Sequence, residues 1–158
     1  MPTVLPPHLH PPYRYGRFCS AFPDTDACFG SQGNFFSFWP TQGSFESNPP
    51  FVPAVIAKMA SHIDAILERG AGGGKRGEKP LSFIVIVPAW GGETAADEQR
   101  QNSPAIDCLA TSPFLRRKLL ASNRQHEYLE GHQHSAKAGK RWRKATCDTA
   151  VFFLQVCY

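Results

Sequence analysis

Residues 43–55 read Gly-Ser-Phe-Glu-Ser-Asn-Pro-Pro-Phe-Val-Pro-Ala-Val, and how this stretch is read decides the fold. Pro49 and Pro50 fix their own φ near −65° and carry no N–H, and each pushes the residue before it out of the α region. Asn48 and Pro49 are therefore held extended, at the end of a strand predicted over Phe45–Ser47. Beyond the corner, Val52, Val55, Ile56, Met59, Ile63, Ile66 and Leu67 recur at helical spacing, with Pro53 early and Gly70 as the expected stop. A strand, a stiff corner and an amphipathic helix thus follow one another without a break.

The corner also has a chemical reading. The Asn48 side-chain amide and the Pro49 carbonyl can point the same way, as two acceptors free of competition from any proline N–H. Such a pair fits an exocyclic amino group, which has two hydrogens to donate. With both hydrogens held, the nitrogen lone pair is aimed out of the base plane toward an electrophile. Phe51 offers a flat face for stacking, worth roughly 1–3 kcal/mol per base in single-stranded sites. The chemistry favoured is attack by an amino nitrogen on a methyl group.

On either side of this unit the text is less regular. Residues 1–16 are a Pro- and His-rich irregular lead-in, and residues 17–158 read as one domain. Asn34–Trp39 is a short strand candidate, and residues 70–79 are a flexible, Gly-rich connection. Leu81–Val87 is an apolar run of strand length, the pattern of a strand buried on both faces in an α/β sheet. Residues 91–112 read as a long polar loop or lid, and 113–130 stay open between helix and strand. Thr149–Val156 reads as a strand. The order of elements is that of the α/β class.

Composition narrows the function classes. The 158 residues are 42% hydrophobic and 19% charged, which is globular material, and the net charge of +4 permits a nucleic-acid partner without demanding one. The five cysteines, Cys19, Cys28, Cys108, Cys147 and Cys157, form no C-x-x-C pair, so neither a disulfide framework nor a zinc module is signalled and a reducing compartment is expected. The N-terminus has no apolar h-region, and the longest apolar run is far short of a membrane span, so no membrane partner is expected. His126, His132 and His134 have no cysteine or acid at zinc spacing and read as solvated; no metal is predicted. Lys137, Lys140, Arg141, Arg143 and Lys144 surround Trp142. Phosphate contact with an interleaved aromatic, as in RNA binding, and a solvated basic loop both fit that tract. Arg116, Arg117 and Lys118 are read as a solvated helix face, and Asp24 and Asp26 as either a pocket border or a turn cap.

Four blocks, over residues 18–51, 80–90, 126–134 and 149–155, resemble in order and spacing the catalytic domain of the phosphorylated-CTD-interacting factor family. The resemblance covers about residues 17–155. It implies a Rossmann-like, S-adenosyl-L-methionine-dependent fold and a cap-specific mRNA adenosine N6-methyltransferase activity on capped mRNA in the nucleus. Asn48, Pro49, Pro50 and Phe51 match the family's catalytic tetrad, which grips the adenine amino group. Ser37 and Phe38 fall where related enzymes carry an Asp-Phe pair that holds the cofactor adenine on the strand before the corner, and the acid is missing. Asp24 and Asp26 are assigned to the cofactor pocket, and Lys140, Arg141, Trp142, Arg143, Lys144 and His134 to RNA.

No G-x-G loop precedes Phe18. The expected fold is therefore a partial Rossmann-like methyltransferase in α/β class, the C-terminal part of a catalytic domain with its N-terminal cofactor-binding strands missing. The wide spacing of Trp39, Trp90 and Trp142 gives no WW module, although the family implies the RNA polymerase II C-terminal domain as a partner. The rival expectation is a noncatalytic RNA-binding or scaffold protein derived from such an enzyme.

Overall fold

The computed structural model of the chain describes residues 18–73, 80–89, 103–129 and 142–156. The chain separates into two units, Met1–Trp39 and Pro40–Tyr158.

The first unit is built of short turns. Helix α1 (Pro23–Asp26) begins on its proline and runs into a 3-10 turn at Ala27–Phe29, which closes on Gly30 at φ 97°. A positive φ of this kind is the conformation that glycine adopts without steric cost. Phe18 bridges Ser31, and the Ser20 N–H donates to the Gly33 carbonyl at 2.8 Å. The strand expected over Asn34–Trp39 is instead a 3-10 turn at Phe35–Ser37. Its cause is local: the Asn34 side chain accepts from the Phe36 N–H at 2.9 Å, a cap that competes with extended pairing. The strand preceding the corner is therefore not the one that carries Ser37 and Phe38.

The second unit is a four-stranded sheet with a helical layer. Strand β1 (Gly43–Ser47) ends at the corner, and helix α2 (Pro53–Gly73) crosses back to β2 (Leu81–Pro88), which lies parallel to β1 with Phe45 opposite Phe83 and Ser47 opposite Val85. A parallel pair joined by a helix is the βαβ unit. After helix α3 (Ser103–Ala110), strand β3 (Leu115–Ala121) forms, followed by the hairpin of β4 (Glu127–Leu129) and β5 (Trp142–Lys144) and the final strand β6 (Thr149–Gln155). The sheet order is β1-β2-β6-β3, with β6 antiparallel to both of its neighbours.

Four expectations change. Gly70 does not stop α2, which runs on to Gly73. Within the predicted long loop, residues 103–110 are helical because Ala105, Ile106 and Leu109 make one buried stripe against α2. Arg116, Arg117 and Lys118 lie on a strand, where the Arg116 Nε–H donates to the Gln155 carbonyl at 3.0 Å and Lys118 Nζ stands 5.3 Å from the centre of the Phe152 ring. Finally, β2 is buried on one face only.

That last difference follows from the pleat, which sends successive side chains to opposite faces. Leu81, Phe83, Val85 and Val87 are fully buried, the last three opposite Leu154, Phe152 and Ala150 of β6; Ile56, Met59, Ile63, Ile66 and Leu67 of α2 complete this core. Ile84, facing the other way, is 37% exposed, and Ile86, Val151 and Phe153 on its face are half-buried. Phe83→Ala is therefore expected to cost about 3–5 kcal/mol, while Ile84→Thr stays within about 0.5 kcal/mol. Urea unfolding of the two variants checks this, and equal losses would refute the one-sided burial.

Where α2 faces the start of β3, the Ser112 hydroxyl donates to Asp64 Oδ1 at 2.6 Å and accepts from the Phe114 N–H at 3.3 Å. Desolvation raises the Asp64 carboxyl above its ordinary value; the hydrogen bond from Ser112 opposes this and the charge of Glu68 adds to it. The folded state thus keeps this proton to higher pH than the unfolded chain, so stability falls as pH rises from the ordinary carboxylate range through the folded value. Asp64→Asn retains an acceptor for Ser112 and removes that dependence. Its urea midpoint should exceed the parent's at pH 7 and meet it near pH 4; a deficit at pH 7 would contradict this.

Candidate functional site

The corner stands at the carboxyl end of β1. Val52 N–H donates to the Pro50 carbonyl at 2.7 Å, closing a three-residue turn about Phe51. The Val52 carbonyl then accepts from Val55 and Ile56, at 2.9 and 3.0 Å, and opens α2. The Ser47 hydroxyl reaches Met59 Sδ at 3.0 Å, fastening the last residue of β1 to a buried position on the second turn of the helix.

Between these two anchors Asn48 and Pro50 are exposed, and Pro49 is half-buried. Phe51 is 51% exposed, an aromatic face turned to solvent. Among the described residues, the Asn48 amide and the Pro49 carbonyl make no hydrogen bond. The Pro50 carbonyl is consumed by the turn, so the acceptors available to a ligand are the two that the sequence singles out.

The same edge of the sheet carries a polar cluster that the sequence did not disclose. Thr149 opens β6 opposite Pro88, the last residue of β2, and is 5% exposed. His126 Nδ1 lies 2.7 Å from the Ser122 carbonyl, which can only accept, so Nδ1 carries the proton. His126 Nε2 is 2.9 Å from Thr149 Oγ1, and the Tyr128 hydroxyl is hydrogen-bonded to the same oxygen. The His126 and Tyr128 rings meet edge to face at 5.3 Å. Asp148 adds two ties: its carbonyl accepts from Ala89 N–H at 2.8 Å and its Oδ1 from Asn123 N–H at 2.9 Å. Through these bonds the 122–126 turn and the β4–β5 hairpin are fixed to the carboxyl end of β2.

Asn123, Arg124, Gln125, His126 and Glu127 on one side, and Trp142 and Lys144 on the other, line an open pocket of about 440 Å³. Trp142 is 64% exposed and Arg143 and Lys144 are exposed beside it. Of the residues assigned to RNA from the sequence, Trp142, Arg143 and Lys144 thus form β5, while Lys140, Arg141 and His134 lie outside the described residues. Asn123, Arg124 and Gln125 went unassigned. Their one sequence signal is a polar run of turn-forming residues directly before His126.

The residues assigned to a cofactor lie in the first unit. Asp24 and Asp26 stand in the first turn of α1, and the Asp26 carboxylate already accepts from the Ser20 hydroxyl. Ser37 ends the 3-10 turn and Phe38 caps it. Among the described residues, Cys19, Cys28, Cys108 and Cys147 carry free thiols, no group of three His, Cys, Asp or Glu side chains could hold a metal ion, and no helix is long and apolar enough to cross a membrane.

Comparison with known proteins bears on this arrangement. Curated relatives from Mus musculus and Homo sapiens, each named mRNA (2'-O-methyladenosine-N(6)-)-methyltransferase, are both 40% identical over 141 residues. The alignment takes in 89% of this chain and 18% of each relative, so the chain spans under a fifth of their length. Residues 12–131 match a family model described as the phosphorylated CTD interacting factor 1 WW domain. That description stands against the expectation, drawn from tryptophan spacing, that no WW module is present. The matched stretch takes in β1, α2, β2, α3, β3 and β4. Matched over the greater part of its length, the chain belongs to the phosphorylated CTD interacting factor 1 WW domain family.

Proposed function

We propose that this chain supplies the adenine-gripping part of an mRNA N6-methyltransferase acting on the cap-adjacent adenosine. The observation that carries the proposal is the pair of acceptors unengaged among the described residues, the Asn48 amide and the Pro49 carbonyl, beside the exposed ring of Phe51 at the carboxyl end of a parallel strand. In open α/β sheets ligands bind at the carboxyl ends of the strands. The relatives' printed name, a methyltransferase for N6 of 2'-O-methyladenosine in mRNA, supports the same chemistry.

Asn48 Oδ1 accepts one N6 hydrogen and the Pro49 carbonyl the other, while the purine stacks on Phe51. Bound in this way, the nitrogen presents its lone pair out of the ring plane. When bound, S-adenosyl-L-methionine would supply the electrophilic methyl; the part of this chain is to hold N6 through Asn48 Oδ1 and the Pro49 carbonyl with its lone pair presented, the extra N6 proton passing to water. Orientation accounts for most of the gain, since well-aligned partners save roughly 7–11 kcal/mol of barrier.

The parallel β1–α2–β2 unit is the kind from which Rossmann-like sheets are assembled, and it supports the finer fold reading of a C-terminal methyltransferase half. Asp24, with no side-chain bond among the described residues, together with Ser37 and Phe38, would contact the cofactor; Asp26 is already committed to Ser20. Capped mRNA is the partner proposed at the corner and the phosphorylated C-terminal domain of RNA polymerase II the protein partner suggested by the family description; the nucleus is the compartment proposed with them.

The test is methyl transfer by a full-length protein that contains this chain, on capped RNA beginning with 2'-O-methyladenosine, with a guanosine-initiated transcript as control. Asn48→Ala should lower transfer on the order of 10²–10³-fold, as loss of one preorganised hydrogen-bonding group does, and leave RNA affinity within about twofold. Residual transfer within tenfold of the parent would remove Asn48 from this role. RNA binding without any transfer in that full-length context would favour the noncatalytic RNA-binding reading.

A further inference from the structure

The pocket between the 122–126 turn and β5 has no part in gripping the adenine amino group, yet its lining is specialised. Trp142 offers a wide aromatic face that is mostly in solvent, an unfavourable place for an indole unless something covers it. Arg124 and Lys144 put two exposed cations on the rim, and Asn123, Gln125 and Glu127 bring amide and carboxylate groups between them. An aromatic platform, amide edges and a pair of cations are the three components with which proteins hold one unstacked nucleotide: the ring for its base, the amides for its hydrogen-bonding edge, the cations for its phosphate.

Position strengthens the reading. Ser47 of β1 pairs with Val85 and Thr149 of β6 pairs with Pro88, so the corner and the hairpin anchor lie at the same edge of the sheet. Two inter-strand spacings and about two residues of strand separate Asn48 from Thr149, on the order of 10 Å. A single-stranded chain whose target base sits at Asn48 can therefore lay a neighbouring nucleotide on the hairpin. The network of His126, Tyr128 and Thr149 fastens the turn that lines the pocket to this end of the sheet, since both ring nitrogens of His126 are committed, one to the turn and one to β6.

We infer that this pocket is a subsite for one nucleotide of single-stranded RNA adjacent to the methylated position, with its base on Trp142, its edge at Asn123 and Gln125, and its phosphate between Arg124 and Lys144. The inference rests on the RNA reading of the corner and extends it to residues outside the tetrad. A phosphorylated peptide would use the cations and leave the indole and the amides idle, which is why RNA is preferred as the occupant.

The experiment measures binding of the chain to fluorescently labelled single-stranded RNA, capped and uncapped, by anisotropy across a salt series and without cofactor. Trp142→Ala should weaken binding roughly 5- to 100-fold, in the range found for loss of one stacked base, and Trp142→Phe should recover most of it. Arg124→Ala and Lys144→Ala should each reduce the slope of log affinity against log salt by about 0.7. All four substitutions are at exposed positions, so the fold is retained and thermal unfolding confirms it. Unchanged affinity in Trp142→Ala together with an unchanged salt slope, or displacement by a phosphoserine peptide but not by unlabelled RNA, would overturn the assignment. Because no methyl transfer is measured, failure of the corner's chemistry and failure of this subsite give different results.

Discussion

Two adjacent prolines govern both the architecture and the chemistry of the second unit. Pro49 and Pro50 have no N–H to offer a ladder, so β1 must end at Ser47. Their fixed φ directs the chain out of the sheet, the tight turn about Phe51 reverses it, and Pro53 opens α2 where a missing N–H costs nothing. The helix then covers the sheet with Ile56, Met59, Ile63, Ile66 and Leu67 and returns the chain as β2, parallel to β1. The bond from Ser47 to Met59 closes this circuit at its tightest point. Asn48 thus sits between a strand and a helix that are packed on each other, which is what a group meant to hold an amino nitrogen to a fraction of an ångström requires.

How much of this could be read beforehand depended on the range of the forces concerned. Strands β1, β2 and β6, helix α2 and the corner are each specified by their own residues, through proline geometry or through an apolar pattern, and they appear where the sequence places them. Asn34–Trp39 failed because the Asn34 side chain bonds a backbone N–H two residues on, a contest that aromatic strand preference lost. Residues 115–121 stayed open between helix and strand, and the helix face read over Arg116–Lys118 was wrong, for a different reason. Their alternation is blurred by three consecutive cations, and only pairing with β6 and the seat of Lys118 over Phe152 make the strand plain. The corner half of the candidate site was legible because four consecutive residues carry it. The pocket half was not, since Asn123 and Lys144 are 21 positions apart and meet only through a hairpin anchored on Thr149.

Strand β2 shows where pattern reading overreaches. A continuous apolar run suits a strand covered on both faces, but the same run also suits one whose second face is only half shielded. Phe153 and Val151 stand opposite Ile84 and Ile86 and shield them laterally, which lowers the exposure of each. The first strand manages its outer edge by other means. It is five residues long, carries exposed Glu46 and spends two positions on serine, with Ser82 donating to Ser44 at 2.8 Å across the strand pair. Short, charged, hydrogen-bonded edges resist pairing with foreign strands.

The same economy explains why the hairpin is tied to the sheet by polar rather than apolar contacts. A pair of three-residue strands buries too little to stay in place through the hydrophobic effect, and an isolated two-stranded hairpin is marginal in water. Thr149 is buried, however, and a buried hydroxyl must be bonded or its desolvation goes uncompensated. His126 and Tyr128 satisfy it, each with a group that has already lost part of its hydration against the neighbouring ring. Each bond is directional, so together they set the angle of the hairpin as well as its distance. The exposed side chains of Trp142 and Lys144 on its outer surface stand outside this anchoring network, and their chemistry can be given over to a ligand.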